Sequence, residues 1–241
     1  MKILINFAAQ RYFAAQKRNT NSGYKFGGFD KVIEYGKNDI DSEFKKKYKK
    51  ILSHDKGAGY WLWKPYIIKK TLEESECGDF VFYSDAGAEF ISSINPLVEI
   101  CKKDKKNITL FHLEPLYGAM ESHSCKRDIF VIMQADTPKY TDTLPLLASF
   151  QLYQNNSFTK DFIKENLKYC CYKELILDTP NVYGFDNYPG FKYCRHDQSI
   201  LSVLSKKWNI VPHRDPSQYG NPYMKPEDGY EQIINHTRKN D

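Results

Sequence analysis

Asp85 is the first residue whose surroundings suggest chemistry. It stands two residues beyond the apolar run Phe80, Val81, Phe82 and Tyr83, with Ala86 and Gly87 behind it. A short, nearly continuous apolar run reads as a strand buried on both faces, and in open α/β sheets ligands gather beyond the carboxyl ends of strands. A carboxylate there, followed by two small residues, can take a ribose hydroxyl or a divalent cation that bridges a pyrophosphate. It can equally cap its own loop through local backbone N–H groups. Tyr60, Trp61, Trp63 and Lys64 form a second group, just ahead of a helix start. Aromatic faces beside an ammonium and a helix N-terminus suit a nucleoside diphosphate, with its stacking base and anionic phosphates. The same rings can instead wedge the helix onto the sheet. His196, Asp197 and Gln198 offer donors and acceptors for sugar hydroxyls, although Asp197 also suits the start of a helix. His213, Arg214, Asp215, His236 and Arg238 come last, without HxxxH spacing. A terminal stretch crossing the ligand edge could bring one of them to a phosphate or a metal.

These side chains need elements to hold them. Residues 2–7 read as an opening strand, 8–21 as a loop or short helix carrying Arg11, Tyr12 and Arg18, and 30–35 as a second strand. Residues 41–52 place Phe44, Tyr48, Ile51 and Leu52 on one helical face. The next helix opens near Pro65, which suits a first turn, and closes before Gly78, which suits a left-handed residue past the end. Tyr66, Ile67, Ile68, Thr71 and Leu72 form its apolar stripe. Helices are also expected over 94–102, 157–170 and 196–208, and strands over 108–113, 148–153 and 210–211. Residues 115–128, with Gly118, read as a long loop of the kind that carries function, and 178–195 as a large loop. Residues 129–133 fit strand or helix. From Pro212 onward, proline and weak periodicity indicate a tail laid across the rest. The expectation is one α/β domain over 1–241: a Rossmann-type unit with a mixed, mostly parallel sheet flanked by helices.

Composition narrows the function classes. In 241 residues, 41% apolar content is ample for a core and argues against disorder. An aromatic share of 15% is high enough that some rings must line surfaces or core margins. A net charge of +5 is too modest to imply nucleic acid binding. The lysine runs at 45–47 with 49–50, and at 102–103 with 105–106, read as solvated faces; a polyanion or an anionic membrane surface is the other reading. Six cysteines without a CxxC pair fit reduced thiols in a cytoplasmic compartment. The opening MKILINF runs straight into polar sequence, so no signal peptide is expected, and no run of about 18 apolar residues suggests a span. Peripheral membrane attachment stays open.

The segments GAGYWLWKPYII, GDFVFYSDAGAEF and HDQSILSVL, in that order, resemble a family of bacterial and large-virus glycosyltransferases with the GT-A fold, over most of the chain. The resemblance implies transfer of a sugar from a nucleotide-diphospho-sugar to a glycan or other hydroxyl acceptor, in surface polysaccharide or glycoprotein glycan synthesis. YSDAG is similar to a YxDxD segment whose first Asp meets the ribose and whose second binds Mn²⁺ or Mg²⁺. Asp85 matches the first, and Gly87 stands where the second would be. HDQS resembles a segment on the sugar and acceptor side. On this reading Tyr12, Trp61, Trp63, Lys64, Asp85 and Gly87 hold the donor, and Asp85, His213 and His236 are candidate metal ligands. Asp197 and Gln198 orient the sugar or acceptor, and Asp136 or Asp197 is the candidate base. Two alternatives are a non-catalytic nucleotide- or carbohydrate-binding protein and a sugar nucleotidyltransferase; NFAAQRYFAAQ lacks the Gly-rich phosphate loop that the latter calls for.

Overall fold

Five strands make the central sheet in the computed structural model, which describes residues 1–113 and 120–237. Gly118 and Arg238 lie outside these residues. The strands are β1 (Lys2–Phe7), β2 (Lys31–Tyr35), β3 (Phe80–Ser84), β5 (Ile108–His112) and β6 (Leu146–Gln154), while β4 (Glu89–Phe90) and β7 (Ile234–Asn235) form a separate two-stranded pair. The order is β2-β1-β3-β6-β5. β1 pairs in parallel with β2 and β3, whereas β6 is antiparallel to both β3 and β5. The sheet is therefore mixed, and its pairings split evenly between the two kinds, so the expected excess of parallel pairing is not met.

β3 is buried along its whole length, and its period of two explains how. Val81 and Tyr83 enter one apolar cluster with Ile3, Ile5 and the helices Trp63–Glu74, Ser157–Cys170 and Asp197–Lys207. Phe80 and Phe82 enter the other, with Phe29, Phe90 and Leu97. The parallel register of Ile5 with Tyr83 and of Phe7 with Tyr35 brings the carboxyl ends of β1, β2 and β3 to one edge. β6 reaches that edge from the opposite direction, with Phe150 opposite Ser84, and the Asp85 N–H donates to the Ser149 carbonyl at 2.9 Å.

Several elements differ from the sequence reading in ways with a local cause. The helix Phe13–Ser22 takes up most of residues 8–21 and ends one residue past them. Asn19 and Gln16 are buried on its inner side and bond to Asn6, Ser84 and the Ala88 and Tyr35 carbonyls, so polar pairs seat this helix where an apolar stripe was lacking. The expected helix over 41–52 breaks at Tyr48 (φ −108°, ψ 26°) into Ser42–Lys47 and Lys49–Leu52. Trp63 opens the next helix two residues before Pro65, which stays within the first turn, where no N–H is needed. Residues 129–133 fall in the helix Arg127–Ile132 and beyond its end. Ser157–Cys170 is a helix with a capping box, Asn156 accepting from the Thr159 N–H. Residues 210–211 form no strand; His213 instead makes a parallel bridge with Phe111. The tail folds back so that β7 pairs with β4 just after Asp85. All six cysteines are unpaired. Among the described residues no helix is long and apolar enough to cross a membrane.

Candidate active site

A cleft of about 800 Å³ opens at the carboxyl edge of β1 and β3. Asp85, Ala86 and Gly87 form part of its floor, because β3 ends at Ser84 and delivers them there. Tyr12 and Arg11 approach from the segment after β1, Gly57, Ala58 and Trp61 from the other side, and His236 from the tail. The Thr237 hydroxyl donates to the Gly87 carbonyl at 3.1 Å, which ties the tail to this loop.

Beside Asp85 lies a buried charge cluster. The Lys64 ammonium is 2.9 Å from Asp197 Oδ2 and 3.6 Å from Asp85 Oδ1, and it donates to the Ala148 carbonyl at 3.3 Å. The Tyr83 hydroxyl donates to Asp85 Oδ1 at 2.5 Å. Lys64 and Asp197 are almost wholly buried, whereas Asp85 keeps about a third of its side chain open. Burial works against the charge on Lys64, but Asp197 and Asp85 outweigh it and hold the ammonium above the ordinary lysine pKa. Burial pushes Asp197 upward; Lys64 opposes it and Asp85 adds to it. Burial, and then the neighbouring Asp85, raise Tyr83 well above a free phenol. Tyr83 is thus a donor that orients Asp85, and Lys64 is a fixed cation shared by two carboxylates.

The aromatic wall rests on an uncommon backbone. Gly57, Ala58, Gly59, Tyr60 and Trp61 all have positive φ, from 51° to 103°. The Tyr60 N–H donates to the Lys56 carbonyl and the Trp61 N–H to the Gly57 carbonyl, closing a left-handed helical turn. For residues with a Cβ this conformation costs about 1–2 kcal/mol each, so surrounding contacts must hold it. Asp178 takes hydrogen bonds from Lys56 and Tyr60, and the Trp61 ring stacks on His196 at 5.5 Å. His196 in turn donates from Nδ1 to the Ile176 carbonyl at 2.8 Å. Burial lowers its pKa despite that bond and nearby Asp178, so the ring is neutral near pH 7.

The HDQS segment therefore meets the YWLWK segment twice, through Trp61 with His196 and through Lys64 with Asp197. Of the residues singled out in the sequence, Tyr12, Trp61, Trp63, Asp85, Gly87 and His236 line the cleft. Trp63 is mostly buried, flat against Phe7 at 3.9 Å, with its Nε1 donating to the Gly57 carbonyl, so it serves chiefly as a wedge. Trp61 is the more open ring. Gln198 follows Asp197 in the helix, and its buried side-chain nitrogen has no hydrogen-bond partner among the described residues.

Other candidates lie away from the cleft. Asp136 does not line the cleft: Arg127 Nε and the Tyr188 hydroxyl hold its carboxylate. His213 sits beside β5 in a separate depression with Lys103 and Asn209. Arg214 is bonded to Asp228 and the Tyr230 carbonyl, and Glu89 is paired with Arg18. Among the described residues no group of three His, Cys, Asp or Glu side chains is arranged to hold a metal ion. Asp85 and His236 share the cleft, yet Asp85 is already engaged by Lys64 and Tyr83. The described residues do not make a protein-held cation site.

Sequence reasoning missed Arg11, Lys37 and Lys56 on the cleft wall, and Tyr83 beneath Asp85. Tyr83 carried a signal, since residues two apart on a strand share a face. The three cations carried none, being ordinary surface residues in separate segments.

No protein-family model matches the chain, and no curated protein matches it either. Among solved structures it is similar to the crystal structure of mouse xyloside xylosyltransferase 1 in its apo form, with a TM-score of 0.52, over 99% of this chain and 97% of that one. Sequence identity is 11%, so the likeness is one of fold, broadly GT-A-like.

Proposed function

We propose that this chain is a glycosyltransferase that moves a sugar from a nucleotide-diphospho-sugar to a glycan or other hydroxyl acceptor. The observation that carries the reading is the convergence on one cleft of Asp85, two exposed-edge aromatics and three cations, beside the buried Lys64–Asp197 pair. Trp61 and Tyr12 offer faces for the base. Asp85, oriented by Tyr83, accepts from the ribose hydroxyls. Arg11, Lys37 and Lys56 on the wall offset the charge that grows on the departing diphosphate, in place of a second acid and its metal. Asp197, paired with Lys64, and Gln198, next to it in the helix, are assigned to the sugar or acceptor, whose hydroxyl suits the Gln198 side-chain nitrogen that has no partner among the described residues. Neither candidate base lines the cleft, since Asp197 is buried against Lys64 and Asp136 is held by Arg127 and Tyr188; Asp197 is kept as the candidate because Lys64 joins it to Asp85. The fold likeness to a protein named as a xylosyltransferase supports the same reading.

The test is a panel of UDP- and GDP-sugars, assayed for binding and slow hydrolysis with Mn²⁺ and again in EDTA, using the wild type and Asp85→Asn. Turnover of at least one donor is expected, falling by about a hundredfold or more in the variant. The fold should survive, because Asp85 is partly exposed and fills no core volume. Full turnover by Asp85→Asn would remove Asp85 from the site, and saturable binding without turnover would make the chain a binding protein.

A further inference from the structure

A second and larger concavity, about 1270 Å³, lies between the helices Ser42–Lys47, Trp63–Glu74 and Ser157–Cys170 and shares no lining residue with the cleft. Its floor is aromatic: Phe44 packs against Tyr48 at 4.6 Å and against Tyr66 at 4.4 Å, and exposed Tyr172 borders it. Its walls are basic. Lys46 and Lys47 stand on one side and Lys164 and Lys168 on the other, all exposed, and none forms an ion pair among the described residues. The lysine run at 45–47, which the cleft does not use, thus gains a partner in the lysines of a distant helix.

We propose that this groove is a second ligand site, which holds an anionic glycan: a saccharide chain bearing carboxylate or sulfate groups. The chemistry separates that occupant from other polyanions. Aromatic faces pack on the apolar faces of sugar rings, and the lysine ammoniums are mobile point charges that can follow spaced anionic groups. Asp41 and Glu43 also line the groove. A carboxylate accepts from sugar hydroxyls, which a saccharide chain offers between its anionic groups. The site goes beyond the donor cleft and does not depend on the reading given to that cleft.

The experiment is calorimetric titration of the full chain with an alginate-derived hexauronate. Cellohexaose, a single-stranded oligothymidylate and vesicles of phosphatidylcholine with phosphatidylserine serve as comparisons. Saturable hexauronate binding is expected, weakening as salt is raised, with none for cellohexaose. Reversing two wall charges, in K164E/K168E or in K46E/K47E, should weaken it on the order of tenfold. Asp85→Asn should leave it unchanged, which separates this site from the cleft. All four lysines are exposed, so melting temperature should hold in both double variants. Absence of saturable hexauronate binding would overturn the proposal. So would equal binding of cellohexaose, insensitivity to both charge reversals, or tighter binding of the oligothymidylate or the vesicles.

Discussion

Lys64 carries a full charge into a place almost closed to water, and Asp197 and Asp85 are its counterions. Taking that ammonium away would leave two carboxylates facing each other, one of them buried. Breaking a buried pair by removing one partner typically costs about 3–5 kcal/mol, because the remaining charge is uncompensated. Lys64→Met should therefore destabilise by about that much in urea unfolding. Lys64→Met with Asp197→Asn should recover part of the loss, since the second change removes the orphaned charge. A Lys64→Met variant within about 1 kcal/mol of wild type would show the cluster to be weakly coupled. At this scale the sequence exposed some partners and hid others. Asp85 was legible because an apolar run ends two residues before it and two small residues follow it. The pairing of Lys64 with Asp197 was not, because ion pairs between remote segments leave no local periodicity. Asp136 misled for the converse reason: nothing near it in the chain announces Arg127 and Tyr188 as its holders.

The left-handed turn at 57–61 is the element that sets the aromatic wall, and Gly57 is its hinge to Trp61. A Cβ added at Gly57 would come within 2.4 Å of the Trp61 ring, at a φ of +56° that already disfavours it. Gly57→Ala should therefore displace Trp61 from His196, at a cost beyond the roughly 1–2 kcal/mol of the backbone conformation. Gly184→Ala is the matched control, since Gly184 has φ +87° with nothing within 4 Å of a new Cβ. Donor titration by tryptophan fluorescence should show affinity lost in Gly57→Ala and kept in Gly184→Ala. Equal behaviour of the two would mean that the Trp61 position is not what the glycine protects. This turn could not be read from sequence, because Ala58, Tyr60 and Trp61 are residue types that avoid positive φ. Regular elements were plainer: the helix expected over 157–170 and the apolar run Phe80 to Tyr83 of β3 fall where the sequence reading put them. Residues 210–211 were apolar enough for a strand, but His213 is the residue that bridges to Phe111.

Across the whole molecule, the direction of β6 and the placing of the tail were the features the sequence left open. An apolar run buried on both faces reads the same in either direction, so parallel and antiparallel pairing cannot be told apart by pattern. The tail's two-residue β7 is too short for any period, yet its pairing with β4 is what carries His236 to the cleft. Burial in this mixed scaffold also lowers the pKa of the His112, His196 and His213 imidazoles below the ordinary histidine value. Neighbouring charge adds to that for His112, while acids partly oppose it for His196 and His213. The sign follows from linkage. As pH falls through about 6.5, the unfolded chain takes up these protons before the folded one does, so stability declines with acidification. Glu121 and Asp197, raised by burial, act in the opposite sense, since the folded state holds their protons more tightly. The histidine contribution is therefore best isolated by replacement. Melting temperature should fall between pH 7.5 and 5.5 in the wild type, and His213→Gln should fall less steeply over the same range. NMR titration of the imidazole C–H signals supplies the independent check. All three midpoints should lie below the free-histidine value, and midpoints at or above it would remove these histidines as the cause of any acid lability.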